Sequence, residues 1–497
     1  MPARTGAQHL LDALSANGVE RIVGVPGESY LAALDALVKV DIPFIQCRHE
    51  AGAANMAEAH GKLTGRPGVC FVTRGPGATQ AAVGVHTAQQ DSTPMLLLVG
   101  QVRREDEGRE AFQEIDYAHA FAGIAKAAFE IRNPARVPEQ IMRAYALAMN
   151  GRPGPVVVGL PEDMLTEVAE APAARPLQAA RCELSAGTAA EIAEAVDGAE
   201  RPILLVGGPG WDAASRADIA AFAEAAACPV VTSFRAKHLI ENHHSHYAGE
   251  AGIGANPALV AALRESDLIL AIGPRLGEMT TQSYDLFDTP EGIADRLIHI
   301  HPGGEELGRV YRPHLAVTAI AGSAMSAIAA AASPTRAVFR KSWVEERRAA
   351  YEAWSAPVEV SGAVNPSQIW SEVAERYGDT AILTNGAGNF AAWLHRFHQH
   401  RCYPSQLAPT SGAMGYGLPA AIAAKLHHPD RPVICAAGDG DFLMSLPELA
   451  TAVQHRANIV VAVFDNGSYG TIRMHQERAY PGRVSGTQLA NPDFKAM

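Results

Sequence analysis

The sequence predicts an α/β protein of three consecutive open domains, each containing a parallel sheet. Its 497 residues correspond to about three domains at roughly 150 residues each. Short runs that are almost wholly apolar recur along the chain, and such runs are typical of strands buried on both faces of a parallel sheet. Helical patterns lie between these runs, and a linker-like segment and a connector divide them into three series.

The first series predicts a domain over residues 1–168, and an Ala/Pro-rich stretch at 169–180 is typical of a linker. Its predicted strands lie in RIVGVPG (21–27), FIQCRHE (44–50), VCFVTRGPG (69–77), MLLLVG (95–100) and PVVVGLP (155–161). The second series predicts a domain over 184–332, with strands in PILLVGG (202–208), PVVTSF (229–234), LILAIG (268–273), RLIHIH (296–301) and AVTAIAG (316–322). After a connector at 333–362, AILTNG (381–386), VICAAG (433–438) and IVVAVF (459–464) predict a third domain over 360–497.

The composition excludes several classes of partner and location. With 41 Lys and Arg against 53 Asp and Glu, the net charge of −12 disfavours binding to nucleic acid. Six scattered cysteines without a CxxC pair fit a reducing compartment. Neither a secretory leader nor a transmembrane span is predicted. We therefore expect a cytoplasmic protein without membrane or nucleic-acid partners.

The segment 438–470 carries the strongest chemical signal. One predicted strand leads into Gly438-Asp439-Gly440, and the next ends at Asp465-Asn466-Gly467. The carboxyl ends of parallel strands meet at one edge of a sheet, where ligands bind. Carboxylate and amide oxygens suit Mg²⁺, and the glycines permit close approach of a ligand to the backbone. The alternative is an ordinary βαβ unit in which Asp439 caps a helix and Asn466 forms a turn.

The helix between these two strands has its own sequence signature. Ser445 and Glu448 have the S-x-x-E spacing of a capping box. The apolar residues of this stretch recur at helical spacing and predict one buried face, formed by Leu446, Leu449, Ala450 and Val453.

The spacing GDG-(25 residues)-N resembles the fingerprint of thiamine diphosphate-dependent enzymes. Further segments are similar to the acetolactate synthase-like branch of that superfamily and stand in its order: GVPGES (24–29), RHEAGAANMAEAHGKLTGRPGVCFVTRGPGATQ (48–80), FQE (112–114), SGAMGYGLPAA (411–421) and NPDF (491–494). The resemblance covers essentially the whole chain. It implies thiamine diphosphate and Mg²⁺ as cofactors.

The resemblance also assigns roles to individual residues. Asp439 and Asn466 match the side-chain metal ligands, and Ser468 matches the residue that offers its backbone carbonyl. Glu50 matches the catalytic glutamate that hydrogen-bonds N1′ of the aminopyrimidine, so that the 4′ nitrogen can remove the proton from C2. Gln113, with Phe112, matches a pair near the substrate, and Lys126 matches a lysine in the following K-x-x-F pattern.

Met414 matches the apolar wedge under the bent cofactor, and Gly412 matches the residue whose carbonyl meets the 4′ amino group. The full set of expected cofactor-binding residues is Gly27, Gly388, Asn389, Gly412, Met414, Gly438, Gly440, Asp441 and Gly467.

Three departures from the family pattern concern the substrate and the flavin. Met474-His475-Gln476 stands where the synthases have Q-W-Q, Gly273-Pro274-Arg275-Leu276-Gly277-Glu278 stands in place of GxRFDDR, and His299-Ile300-His301 stands in place of H-I-D. The last two changes remove polar partners of a flavin dinucleotide, so FAD is not expected. Family members usually continue for tens of residues beyond NPDF, so the third domain is either cut short here or ends early.

The resulting expectation is a thiamine diphosphate- and Mg²⁺-dependent lyase or transferase that acts as a carboligase on a 2-keto acid. The alternatives are a simple 2-keto acid decarboxylase or an acyl-CoA lyase of the same superfamily, and a non-catalytic homologue that only binds the cofactor. An NAD dehydrogenase is disfavoured because Gly208-Pro209-Gly210 is only a partial match to the dinucleotide motif. The resemblance further implies a homodimer or homotetramer.

Overall fold

The computed structural model describes residues 3–287, 289 and 291–497, and it contains three domains with parallel sheets. The strands of the N-terminal region are β1 (Ala3–Thr5), β2 (Ile22–Gly24), β3 (Phe44–Gln46), β4 (Gly68–Val72), β5 (Met95–Gln101), β6 (Ala127–Glu130), β7 (Pro155–Pro161) and β8 (Val168–Glu170). Its helices are α1 (Gly6–Ala16), α2 (Leu31–Leu37), α3 (Glu50–Thr64), α4 (Pro76–Asp91), α5 (Tyr117–Ala120), α6 (Val137–Met149) and α7 (Glu162–Thr166).

Six of these strands form a parallel sheet in the order β3-β2-β4-β5-β7-β6. The interior strands β4, β5 and β7 are buried at every residue, which is why their sequences are apolar without alternation. Beside this sheet, β1 and β8 pair antiparallel. All five strands predicted for the N-terminal region are present: β2, β3 and β4 are shorter than their predicted runs, β7 coincides with its run, and β5 is one residue longer.

The middle region contains a second six-stranded parallel sheet, ordered β11-β10-β9-β12-β13-β14. Its strands are β9 (Pro202–Val206), β10 (Val230–Ser233), β11 (Tyr247–Ala251), β12 (Leu268–Ile272), β13 (Leu297–His301) and β14 (Leu315–Thr318). Its helices are α8 (Ala186–Gly198), α9 (Ala213–Ala226), α10 (Pro257–Glu265), α11 (Ala321–Ala331) and α12 (Lys341–Ser355). The last of these lies inside the predicted connector 333–362, so part of that connector is helical, and Trp343 and Tyr351 bury α12 against the domain core.

The C-terminal region contains a four-stranded sheet ordered β16-β15-β17-β18. Its strands are β15 (Ile382–Asn385), β16 (Gln406–Leu407), β17 (Val433–Gly438) and β18 (Val460–Phe464). Its helices are α13 (Pro366–Tyr377), α14 (Asn389–Phe397), α15 (Gly417–His427), α16 (Asp439–Leu443), α17 (Glu448–Gln454) and α18 (Gly470–Ala479).

The contacts of the chain divide it into two compact units. Unit 1 contains Met1–Ala180, Thr384–Gly388 and Leu407–Met497, and unit 2 contains Arg181–Leu383 and Asn389–Gln406. The N-terminal sheet and most of the C-terminal region thus belong to one unit, which is the unit that carries nearly all predicted site residues. Within the described parts of both units, no helix has the length and hydropathy needed to span a membrane.

Unit 2 contains a buried cluster of ionisable side chains around Lys237. Its ammonium donates to the carbonyls of His395 (2.6 Å) and His398 (2.8 Å), and burial lowers the pKa of Lys237 to about 8. Burial, together with the nearby Lys237 cation, also lowers the pKa of His398 to about 3. The pKa of His400, whose ring lies 4.7 Å from that of His398, falls for the same reason. The folded cluster therefore holds these imidazoles neutral.

Acidification should destabilise the protein through His398. An unfolded histidine titrates near pH 6.5, whereas His398 in the folded chain titrates at about 3, so between these values only the unfolded chain takes up the proton. The free energy of unfolding should therefore fall by about 2 to 3 kcal/mol between pH 6.5 and about pH 4.5 on account of this residue. Urea titrations of the wild type and of His398→Phe measure the effect. A wild-type pH dependence in the variant would contradict the assignment.

Candidate active site

Glu50 lies at the start of a buried helix. It is the first residue of α3 and is 9% exposed, and the ring of His49 caps the helix by accepting the N–H of Ala51 at 3.1 Å. The sequence placed Glu50 at the end of a strand, which is wrong by four residues because β3 ends at Gln46. Burial and then the Glu50 carboxylate raise the pKa of the Cys70 thiol on β4.

The loop after β4, residues 73–77, gathers three of the predicted residues. A Cβ on Gly77 would lie 3.4 Å from Oε1 of Glu50, and one on Gly75 would lie 2.8 Å from Cβ of Gln113. Gly27 also lies against this segment, because a Cβ on Gly27 would lie 2.4 Å from Cβ of Thr73. Glu50, Gln113 and Gly27 therefore surround one loop at the carboxyl edge of the N-terminal sheet.

Two other residues near the predicted substrate side have different surroundings. Phe112 is 71% exposed, and its carbonyl accepts a hydrogen bond from Nε of Arg74 at 3.1 Å. Lys126 donates to the carbonyls of Asn150 (2.5 Å) and Arg152 (2.6 Å). These two bonds tie the lysine side chain to its local backbone.

The predicted metal residues follow two paired strands. β17 and β18 run parallel with Gly438 opposite Phe464, so Asp439 and Asn466 leave the sheet at the same edge. Asp439 is 3% exposed, whereas Asn466 is exposed and its Oδ1 accepts the N–H of Ser468 at 3.0 Å.

Glycine allows the start of α16 and the turn after β18 to lie in close contact. A Cβ on Gly440 would lie 2.5 Å from the ring of Tyr469, so any larger residue would push the loops apart. Gly467 adopts a φ of 61° in the turn, a left-handed conformation that glycine reaches without strain.

The donor set of this region fits a hard cation. The available oxygens are the Asp439 carboxylate, the Asn466 amide and the Ser468 carbonyl, which are the ligand types that Mg²⁺ selects. The Oγ atom of Ser468 is buried without a hydrogen-bond partner. This hydroxyl could therefore still form a hydrogen bond with a group bound in this region. In the described part of the chain, no group of three or more His, Cys, Asp or Glu could hold a metal ion, and the present donor set includes only one such residue.

Asn491, from the NPDF motif, connects the two loops. Its amide donates to Oδ2 of Asp439 at 2.7 Å and to Oδ1 of Asp465 at 2.8 Å. The backbone around Leu489 pairs with the loop as well, since its N–H donates to the carbonyl of Gly467 at 2.8 Å. The C-terminal segment thus closes back on the predicted metal loops.

Asp441 organises the loops that carry further predicted residues. Its Oδ1 accepts the backbone N–H of Gly415 (2.8 Å) and of Ala387 (3.3 Å). These bonds hold the segments of Met414, which is half-buried, and of Gly388, which has a φ of 154°. Three predicted residues remain to be placed: Gly438 is buried at the end of β17, Gly412 is exposed with a φ of 70°, and Asn389 is exposed at the start of α14.

The predicted capping box is wrong. Oγ of Ser445 is buried without a hydrogen-bond partner, while the Glu448 carboxylate accepts the backbone N–H of His49 at 2.9 Å. The predicted apolar face of this helix is also wrong. α17 buries Glu448, Thr451 and Ala452, and leaves Val453 80% exposed.

A buried ionic network that the sequence did not reveal lies between α3, α4 and residues 408–416. The Lys62 ammonium binds the carboxylates of Asp91 and Glu58 and the carbonyl of Ala408. The Tyr416 hydroxyl donates to Glu58 at 2.5 Å, and Asp91 accepts the N–H of Thr410 at 2.8 Å. Lys62 in HGKLTG and Asp91 in QQDS have no sequence signal that pairs them, because their contact exists only after folding.

The middle domain has a polar pocket at the carboxyl ends of its central strands, lined in part by His299 and Tyr311. Glu306 lies inside it and binds the guanidinium groups of Arg275 (3.1 Å) and Arg309 (3.0 Å). The sequence singled out Arg275 but missed Glu306. His301 is fully buried, and its Nδ1 accepts the N–H of Gly303 at 3.0 Å.

Parallel sheets whose strands end in glycine-rich loops and buried carboxylates define an α/β protein of the cofactor-binding class. Family models for thiamine pyrophosphate enzymes match the chain three times: the N-terminal TPP-binding domain at residues 4–120, the central domain at 189–328 and the C-terminal TPP-binding domain at 386–497.

Relatives in other organisms agree with these matches. The acetolactate synthase large subunit of Parasynechococcus marenigrum is 31% identical over 99% of this chain and 81% of its own length. The probable acetolactate synthase large subunit of Methanocaldococcus jannaschii is 31% identical over 98% and 85%, and isozyme 1 of Escherichia coli is 29% identical over 98% and 87%. The chain therefore belongs to the thiamine pyrophosphate-dependent enzymes, in their acetolactate synthase-like branch.

Proposed function

We propose that this enzyme binds thiamine diphosphate through Mg²⁺ and acts as a carboligase on a 2-keto acid. The observation that carries the proposal is the pair of segments that follow β17 and β18, which leave the sheet at one edge and are connected by Asn491: the first carries a buried aspartate, and the second carries amide and carbonyl oxygens. The cofactor supplies a carbon nucleophile for making or breaking a bond next to a carbonyl. The relatives' printed name, acetolactate synthase, supports the same chemistry.

The residues of this chain then have separate tasks. Asp439, Asn466 and the Ser468 carbonyl would hold the metal, and Met414 and Gly412 would support the cofactor's bent conformation. Gly27, Gly388, Asn389, Gly438, Gly440, Asp441 and Gly467 would form or order the loops around the cofactor. Glu50 would hold a proton at N1′ of the aminopyrimidine, and Gln113 would face the substrate.

We further propose a homodimer or homotetramer, because the resemblance implies that Glu50 of one subunit serves the cofactor of another. The C-terminal part of unit 1 has four exposed apolar side chains: Met444 (53%), Val453 (80%), Val460 (61%) and Ile472 (54%). The proposed domain boundaries are 1–168, 184–332 and 360–497, and the proposed location is the cytoplasm.

The proposed reaction is tested by incubating purified protein with thiamine diphosphate, Mg²⁺ and a panel of 2-keto acids. We expect release of CO₂ together with a carbon–carbon coupled product. Release of CO₂ with an aldehyde as the only other product would replace the carboligase with a decarboxylase. Binding of the cofactor without turnover of any keto acid would favour the non-catalytic homologue.

Asp439→Ala should reduce binding of the cofactor rather than the stability of the fold. Without this carboxylate the cation loses a charged ligand, and a lost charged partner costs about 1.5 to 3 kcal/mol, or roughly 10- to 100-fold in affinity. Calorimetric titration of thiamine diphosphate with Mg²⁺ measures the change. Asp430→Ala, which changes an exposed aspartate of the same unit, is the matched control and should bind within about threefold of the wild type. Unchanged affinity in Asp439→Ala would refute the metal assignment.

A further inference from the structure

Glu448 binds the backbone immediately before Glu50. It is the first residue of α17 and is fully buried. Its Oε1 accepts the N–H groups of His49 (2.9 Å) and Arg48 (3.2 Å), and its Oε2 lies 3.3 Å from the Arg48 nitrogen. The Thr451 hydroxyl donates to Oε2 at 2.6 Å. Three donors thus fix one carboxylate in one orientation.

The helix that carries Glu50 is shaped to receive this carboxylate. Gly52 lies in the first turn of α3, and a Cβ there would lie 2.4 Å from Oε1 and 2.6 Å from Cδ of Glu448. Glycine inside a helix costs about 1 kcal/mol relative to alanine. Its presence at this position is explained by the space that the carboxylate needs.

The electrostatic environment agrees with a bound carboxylate. A negative charge close to the first turn of a helix interacts favourably with the helix dipole. Burial raises the pKa of Glu448, and the bonds from Thr451, Arg48 and His49 oppose that rise. Removing the side chain would leave the backbone N–H groups of Arg48 and His49 without this acceptor.

From these contacts we infer that Glu448 is a positioning residue for the reaction, because it fixes the backbone from which Glu50 projects. Glu448 is seven residues beyond Asp441, so it belongs to the segment that starts with the proposed metal loop. Within one chain, a single side chain therefore joins the backbone before Glu50 to the segment that follows the proposed metal ligand Asp439; in the proposed oligomer these two segments serve different cofactor sites. This inference rests on the proposed function, since it assigns Glu448 a role in that same site.

The first test uses the protein without cofactor. Amide hydrogen exchange is followed by mass spectrometry for peptides covering residues 44–56, in the wild type, Glu448→Ala and Glu448→Gln. We expect at least tenfold faster exchange around residues 48–49 in Glu448→Ala, and near wild-type protection in Glu448→Gln, whose carbonyl oxygen can still accept both N–H groups. Glu139→Ala, at the first turn of α6, is the control for loss of a helix-terminal glutamate. Unchanged protection in Glu448→Ala would overturn the inference.

The second test uses protein saturated with thiamine diphosphate and Mg²⁺. A small misplacement of a catalytic group costs up to about 100-fold, so C2 proton exchange in Glu448→Ala should slow by about 10- to 100-fold. The affinity for thiamine diphosphate should stay within about threefold of the wild type, and Glu448→Gln should restore exchange to within about threefold. Wild-type exchange in Glu448→Ala would overturn the positioning role, as would a loss of cofactor affinity as large as the loss of exchange.

Two further variants keep the outcomes distinct. If Glu448→Ala does not fold, Gly52→Ala takes its place, because the added Cβ displaces the Glu448 carboxylate while alanine favours the helix. We expect C2 proton exchange to slow in Gly52→Ala by the same factor of about 10- to 100-fold. Normal C2 exchange in Gly52→Ala would overturn the positioning role. Glu50→Gln is measured in parallel. Normal exchange in Glu50→Gln would refute the proposed function itself, whereas slow exchange there with normal exchange in Glu448→Ala or Gly52→Ala would refute only the role of Glu448.

Discussion

Replacing Glu50 by Gln should slow C2 proton exchange of the bound cofactor by about 100- to 10,000-fold, the range for a general acid or base. The amide has nearly the same shape, so the start of α3 and the affinity for thiamine diphosphate should be preserved. An amide cannot carry the negative charge that stabilises a proton at N1′. The effect should therefore appear in proton transfer and not in binding.

The measurement is hydrogen–deuterium exchange at C2, followed by proton NMR after acid quench in protein saturated with thiamine diphosphate and Mg²⁺. Glu139→Gln is the matched control, because Glu139 is an exposed glutamate in the first turn of another helix of the same unit. It should exchange at the wild-type rate. Wild-type exchange in Glu50→Gln would remove Glu50 from the catalytic residues.

Lys62→Met should destabilise unit 1 by about 3 to 5 kcal/mol, the cost of removing one partner from a buried ionic group. The side chains of Glu58 and Asp91 are almost wholly buried, and methionine leaves them without their cation. In the wild type, burial tends to lower the pKa of Lys62, but the Asp91 and Glu58 carboxylates raise it above its ordinary value. The ammonium is therefore charged throughout the neutral range.

Urea denaturation followed by fluorescence measures this loss. The control is Lys341→Met, which breaks an exposed pair with Glu345 on α12 and should change stability by about 0.5 kcal/mol or less. Adding Glu58→Gln to Lys62→Met should recover part of the loss, since burial already raises the pKa of Glu58. Equal effects of Lys62→Met and Lys341→Met would show that the network contributes little.

The Lys62 network also bears on the cofactor loop. Thr410 and Tyr416 are bound by Asp91 and Glu58, and Gly412 and Met414 lie between them in the sequence. Lys62→Met should therefore weaken thiamine diphosphate binding as well as the fold. Calorimetric titration without urea, at a temperature where the variant stays folded, measures the loss of thiamine diphosphate binding separately from the loss of stability.

Much of the fold was predictable because it depends on local pattern. The strands Gly68–Val72, Met95–Gln101 and Val433–Gly438 are apolar runs between helices, and a parallel sheet buries them on both faces. The GDG turn and the Asn466 turn follow their strands as the sequence indicates. These features need only neighbouring residues and the geometry of parallel strands.

The helix after the metal loop shows where local pattern misleads. Ser445 and Glu448 have the spacing of a capping box, but Glu448 binds the backbone of His49, which lies 399 residues away in the chain. A buried carboxylate needs hydrogen-bond donors, and the backbone N–H groups of residues 48 and 49 supply them to Glu448. Because Thr451 also donates to the Glu448 carboxylate, α17 buries Thr451 and leaves Val453 at the surface. Spacing within one helix cannot report such a contact.

The sequence by itself determined the α/β class, the strands and the residue types of the candidate site, because apolar runs and glycine-rich turns act over short distances along the chain. Only the tertiary structure decided which side chains meet. Gln113 and Gly27 reach one loop beside Glu50, Asn491 reaches Asp439, and Glu448 reaches Arg48 through folding alone. The physical reason is that buried polar groups must find partners wherever the packed chain places them, and packing joins segments that are remote in sequence.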